Sequence, residues 1–122
     1  MYEELPDRPI VWVASTRGDL RGFPRPIRRE IGLALYAAQQ GEIDPAAKPL
    51  RGFGGGSVLE IVANYRGDTW RAIYTVRFPE AIYVLHAFQK KSTRGIATSQ
   101  RDLDRIQSRL AAAERLHRER QN

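Results

Sequence analysis

Three segments rich in large and β-branched residues follow one another over residues 57–65, 69–78 and 82–89, parted only by Arg66-Gly67-Asp68 and by Phe78-Pro79-Glu80-Ala81. Connections that short cannot carry a crossover, so consecutive strands must pair antiparallel, as a meander. Pro79 belongs in a turn, because inside a strand it removes a ladder hydrogen bond. Everything else in the chain has to pack around this sheet.

The flanks supply one more strand and two helices. Residues 10–15 form a short apolar run suited to a buried strand. Residues 16–26, with Gly18, Gly22, Pro24 and Pro26, read as a loop and a helix start, and Pro26 suits a first helical turn. Ile27, Ile31, Ala34, Leu35 and Ala38 then recur at helical spacing, and Gly41 ends that helix. Residues 42–56, with Pro45, Pro49 and Gly54-Gly55-Gly56, read as a loop or short helix and then a turn. Thr98 or Ser99 caps a last helix whose apolar stripe is Leu103, Ile106, Leu110, Ala113 and Leu116. From His117 the tail is polar and is expected to fray. The expected fold is α+β, a small antiparallel-rich four-stranded sheet in one domain over residues 1–122.

Strand alternation sorts the side chains further. A two-residue turn at Gly67-Asp68 sets Asn64 opposite Arg71 and Glu60 opposite Thr75. A turn at Pro79-Glu80 sets Arg71 opposite Phe88 and Ile73 opposite His86. Glu60, Arg71, His86, Phe88 and Lys90 then share an open face. Trp70, Tyr74, Val76, Tyr83 and Leu85 share the face expected to carry the helices. A slip of one residue exchanges the two sets.

Net charge is +6. Residues 1–61 hold eight Lys/Arg and eight Asp/Glu, whereas residues 62–122 hold twelve and six, so the excess lies in the second half. A one-sided basic surface fits a polyanion partner, or else simply a soluble basic protein. No apolar run nears the ~20 residues of a membrane span. The acidic N-terminus lacks the regions of a signal peptide, so a cytoplasmic protein is expected. The chain has no cysteine and its two histidines are far apart, so neither a disulfide framework nor a metal site is expected. Gly54-Gly55-Gly56 leads into a strand rather than a helix and is not a phosphate loop.

The candidate chemistry lies on the meander. Arg71, mid-strand, is a planar donor fork suited to a phosphate, or an ion-pair partner for Glu60. Lys90 and Lys91 end the last strand and Arg94 follows, with no acid between Glu80 and Asp102. They can neutralise phosphate oxygens, or stand solvated. Arg77 adds a cation. His86 can exchange protons near neutrality or sit as a structural histidine. Glu60 can be a general base or only Arg71's partner. Phe88 can stack on a base or pack in the core.

KPLRGFGGG at 48–56, LEI at 59–61, TWRAIYTV at 69–76, IYVLHAFQKKS at 82–92 and the C-terminal GIATSQRDLDRIQSRL together resemble the HigB-type, phage-derived toxins of the RelE/ParE superfamily. The resemblance spans about residues 10–114. It implies helices packed on one side of the sheet, and a toxin of a type II toxin–antitoxin pair. The partner implied is a helix-turn-helix antitoxin. The activity implied is cleavage of mRNA on the ribosome without a metal or other cofactor, by attack of a ribose 2′-OH on the adjacent phosphate. Trp70-Arg71-Ala72-Ile73-Tyr74 resembles the family's Tyr-Arg-x-x-Tyr motif, and Lys90 or Lys91 occupies the place of its later basic residue. The chain departs from some relatives in having Glu60 and Val62 where they have lysines, and in lacking their C-terminal tyrosine. A ParE-like inhibitor of DNA gyrase and a non-catalytic RNA-binding module are the alternatives.

Overall fold

A computed structural model describes residues 7–90 and 98–121. The strands are β1 (Ile10–Trp12), β2 (Ala47–Pro49), β3 (Val58–Tyr65), β4 (Asp68–Thr75) and β5 (Ile82–Lys90). The helices are α1 (Thr16–Arg21), α2 (Arg25–Gln39) and α3 (Gln100–Gln121). The sheet has five strands in the order β1-β5-β4-β3-β2, not four. The extra strand is β2, within the stretch expected to be a loop. Its Ala47, Lys48 and Pro49 pair antiparallel with Ile61, Glu60 and Leu59. Pro49 is tolerated because β2 is an edge strand. At the other edge β1 runs parallel to β5, which makes the sheet mixed.

The β3–β4 hairpin turns at Arg66-Gly67, one residue earlier than expected. Both residues have positive φ, 51° and 83°, as a two-residue type I′ hairpin turn requires. Val62 rather than Asn64 therefore faces Arg71, and Ile73 rather than Thr75 faces Glu60. This slip is two residues, so every side chain keeps its expected face. The β4–β5 pairing has Arg71 opposite Phe88 and Ile73 opposite His86 as expected, but then shifts register between Ile73 and Tyr74, where Tyr74 faces Val84. Leu85 is the extra residue of this bulge. The bulge moves Tyr83 and Leu85 off the face of Trp70 and Tyr74, so that part of the expected division fails.

Helices cover both faces, which corrects the one-sided expectation. On one face α2 buries Ile27, Ile31, Ala34, Leu35 and Ala38 against Leu59, Ile61, Trp70, Tyr74, Ile82 and Val84. Burying each of its larger aliphatic side chains contributes roughly 1.5–3 kcal/mol. Gly41, at φ 83°, closes α2 by passing its N–H to the Ala38 carbonyl, and Glu42 passes its own to Ala37. On the other face α3 buries Ile106, Leu110 and Ala113 against Val58, Ile73, Tyr83 and Leu85. The face expected to be open is thus partly roofed by α3.

The end of α3 does not fray at His117. The helix runs on to Gln121 because His117 is tied down. Its ring stacks on Phe78 at 4.3 Å, and its Nδ1 lies 3.2 Å from the Tyr83 hydroxyl. Among the described residues no helix is long and apolar enough to cross a membrane.

Candidate functional site

The α3 face of the sheet has two ends. At one end the helix is seated on apolar residues. At the other, where β3 and β4 approach their hairpin, the face carries Glu60, Arg71, Phe88 and Lys90 beside the first residues of α3.

Arg71 is held there by β4 and is only 6% exposed. Its Nη1 donates to Glu60 Oε2 at 2.7 Å, reaching diagonally across to β3. Thr98, just ahead of α3, donates its hydroxyl to the same carboxylate oxygen at 2.9 Å. Arg71 Nη1 also lies 3.4 Å from that hydroxyl. Of the two residues named as caps, Ser99 does the capping. Its Oγ accepts the Asp102 N–H at 3.2 Å, while Thr98 is spent on Glu60.

Lys90 pairs with Thr69 in the row next to Arg71 and Phe88 on the same face. Burial pushes its ammonium below the usual lysine range. The Arg71 charge pushes in the same direction, and Glu60 opposes both. Lysine, arginine and carboxylate therefore feel one another, and their summed charge is that of one cation. Such a cluster suits a phosphate oxygen.

His86 lies beneath this cluster, 4% exposed. Arg109 Nη1 approaches its Nδ1 at 3.1 Å, and Asp102 Oδ1 lies 2.9 Å from its Nε2. A guanidinium can only donate, so Nδ1 accepts, and the ring proton sits on Nε2 facing Asp102. The imidazole is neutral in this arrangement. Burial pushes its pKa below 6.5, the Asp102 hydrogen bond opposes that, and the Arg109 charge reinforces it. Burial raises the Asp102 pKa, but hydrogen bonds from His86 and Ser99 outweigh it and leave the carboxyl below its usual range. Phe88 stacks on the His86 ring at 4.4 Å. A buried histidine paired with a half-buried aspartate thus backs the aromatic ring next to Arg71.

Arg77 does not join this group. It lies past the far end of β4, about 20 Å along the strand from Arg71. There Nη1 bonds Glu114 of α3 at 2.7 Å. Lys91 and Arg94 lie outside the described residues. Sequence reasoning missed Thr98, Asp102 and Arg109 as neighbours of the site. Asp102 and Arg109 come from α3 and Thr98 lies just ahead of it, and only the docking of that helix on the sheet brings them near. Arg105, one turn before Arg109, adds positive charge felt by both His86 and Asp102. Among the described residues no group of three or more His, Cys, Asp or Glu is placed to hold a metal ion.

The site is thus a small mixed sheet carrying an arginine–carboxylate pair beside a basic strand end. Residues 18–111 match the family described as phage derived protein Gp49-like (DUF891). The chain belongs to that family. No curated protein matches it.

Proposed function

We propose that this protein is the toxin of a type II toxin–antitoxin pair, of the HigB type, and that it acts in the cytoplasm as a ribosome-dependent mRNA endoribonuclease. The observation that carries this reading is the meeting of Arg71, Lys90 and Glu60 on one end of the α3 face. Membership of a phage-derived, toxin-like family supports it.

In the proposed reaction the ribose 2′-oxygen attacks the adjacent phosphorus. The new O2′–P bond forms and the P–O5′ bond breaks, which leaves a 2′,3′-cyclic phosphate and a 5′-hydroxyl. Glu60 takes the 2′-OH proton. Arg71 holds the phosphate oxygens, whose charge grows in the transition state, and a preorganised donor of that kind is worth on the order of 10²–10³ in rate. Lys90, on the same face as Arg71, gives a proton to the departing 5′-oxygen. Phe88 stacks on a base, with His86 fixing the ring from behind. Lys91 and Arg94 follow Lys90 in the chain and belong to the proposal as further RNA contacts. The helix-turn-helix antitoxin is the proposed protein partner.

The test is to map RNA 5′ ends after inducing the protein in a bacterial host. The reading expects new 5′-hydroxyl ends within translated messages. Growth arrest with intact messages and damaged DNA would instead point to inhibition of gyrase.

A further inference from the structure

Four large apolar side chains among the described residues stand exposed, and three of them belong to α2 or to the segment just after it. Leu33 is 59% exposed and Tyr36 56%, and Ile43 follows the helix end. On a helix of 3.6 residues per turn, Arg29, Leu33 and Tyr36 fall on one line. That line lies opposite Ile27, Ile31, Ala34 and Ala38, four of the five side chains α2 buries. A helix that only covers a core is polar on its outer face. This one carries an apolar ridge there.

Gly32 lies beside the ridge and is exposed, in the middle of a helix of 15 residues. Its backbone is helical, and a Cβ built on it meets nothing within 4 Å. Neither the backbone nor the packing of this chain calls for glycine, which weakens a helix interior relative to alanine. A small residue at such a place lets another backbone come close.

Arg25, Arg28 and Arg29 flank the ridge, exposed, with Glu30 as the one acid among them. None of the three arginines makes an ion pair with a described residue. A second copy of the chain would bring like charges together, so the ridge does not suit self-association. It suits an apolar-striped helix bearing acids.

We infer that the outer face of α2 is the docking surface for an acidic amphipathic helix of the antitoxin, packed over Gly32 between Leu33, Tyr36 and the three arginines. The inference rests on the toxin reading. Because α2 and the Arg71 cluster lie on opposite faces of the sheet, the two surfaces can be altered separately.

The test uses as the probe the product of the reading frame next to this gene, which the toxin reading expects to be a small helix-turn-helix protein, with affinity measured by calorimetry. Leu33→Asp with Tyr36→Asp should weaken binding by about thirtyfold or more, as loss of central interface anchors does. Gly32→Gln should raise the melting temperature of the free protein yet weaken the complex at least tenfold, on the order expected from overpacking a close contact. Gln107→Asp, on the exposed face of α3, should bind as wild type. All of these variants should still arrest growth when the probe is absent. If the probe binds wild type and the α2 variants equally, the docking surface is wrong and the toxin reading stands. If the probe does not bind even wild type, the toxin reading fails and this surface fails with it.

Discussion

Arg71 and Glu60 stand on neighbouring strands, offset by two pairs of the ladder, and their side chains meet at 2.7 Å with both nearly buried. An ion pair so enclosed is costly to break from one side, because the remaining charge keeps its burial and loses its partner. Arg71→Gln should therefore lower unfolding stability by about 3 kcal/mol, and Glu60→Gln should cost a similar amount. The double variant should cost clearly less than the two together. Urea unfolding of the four proteins measures this coupling, and simple additivity would mean that the pair does not interact in solution.

The buried His86 makes stability depend on pH. Its folded pKa lies below its unfolded value of about 6.5. The unfolded chain therefore binds a proton at pH values where the folded chain does not. The contribution to stability is complete above pH 6.5 and is lost as pH falls through the folded value. The melting temperature should drop on acidification below that point, and His86→Gln should flatten the drop. Asp102, also depressed, adds a second loss only at lower pH, below about 3.8.

His117 should hold down the last turns of α3. Its stack on Phe78 and its contact with the Tyr83 hydroxyl are both lost in His117→Ala. An aromatic pair and one hydrogen bond together are worth about 1–2 kcal/mol. Hydrogen exchange should show the amides from 114 onward losing protection while those near Ile106 keep theirs. Unchanged protection at the helix end would show that the latch carries no weight.

The hairpin turn offers a gain. Arg66 adopts φ 51°, where asparagine is more at ease than arginine, while Gly67 already suits its own position. Arg66→Asn should stabilise the protein by roughly 0.4–1 kcal/mol, less whatever the contact of Arg66 over the Tyr65 ring supplies. Thermal unfolding in both low and moderate salt checks the sign.

The sheet was legible where alternation is strong. Arg71 opposite Phe88 and Ile73 opposite His86 came out as expected although residues 76–81, not Pro79-Glu80 alone, connect β4 to β5, because the one-residue bulge restores the expected register. The bulge at Leu85 was not legible, since nothing in Val84-Leu85-His86 marks an extra residue. That one residue changed the face of Tyr83 and Leu85, and with it the reading of where helices pack. β2 was hidden because Pro45, Pro49 and the glycines look like a loop, and an edge strand of three residues carries little periodicity. Arg71 beside Glu60 could be read from strand parity. Thr98, Asp102 and Arg109 could not, because α3 reaches the site only through tertiary packing.

The central claim is that the Arg71 guanidinium acts on an RNA phosphate as well as pairing with Glu60. The direct measurement counts 5′-hydroxyl ends in messenger RNA shortly after inducing wild type, Arg71→Lys and Arg71→Gln, each first shown by its melting curve to be folded at the induction temperature. Lysine keeps the charge beside Glu60 but loses the planar fork. The account predicts abundant new ends with wild type and about a hundredfold fewer with either variant. Cleavage at the wild-type level by the folded variants would contradict it and leave Arg71 as a structural ion pair alone.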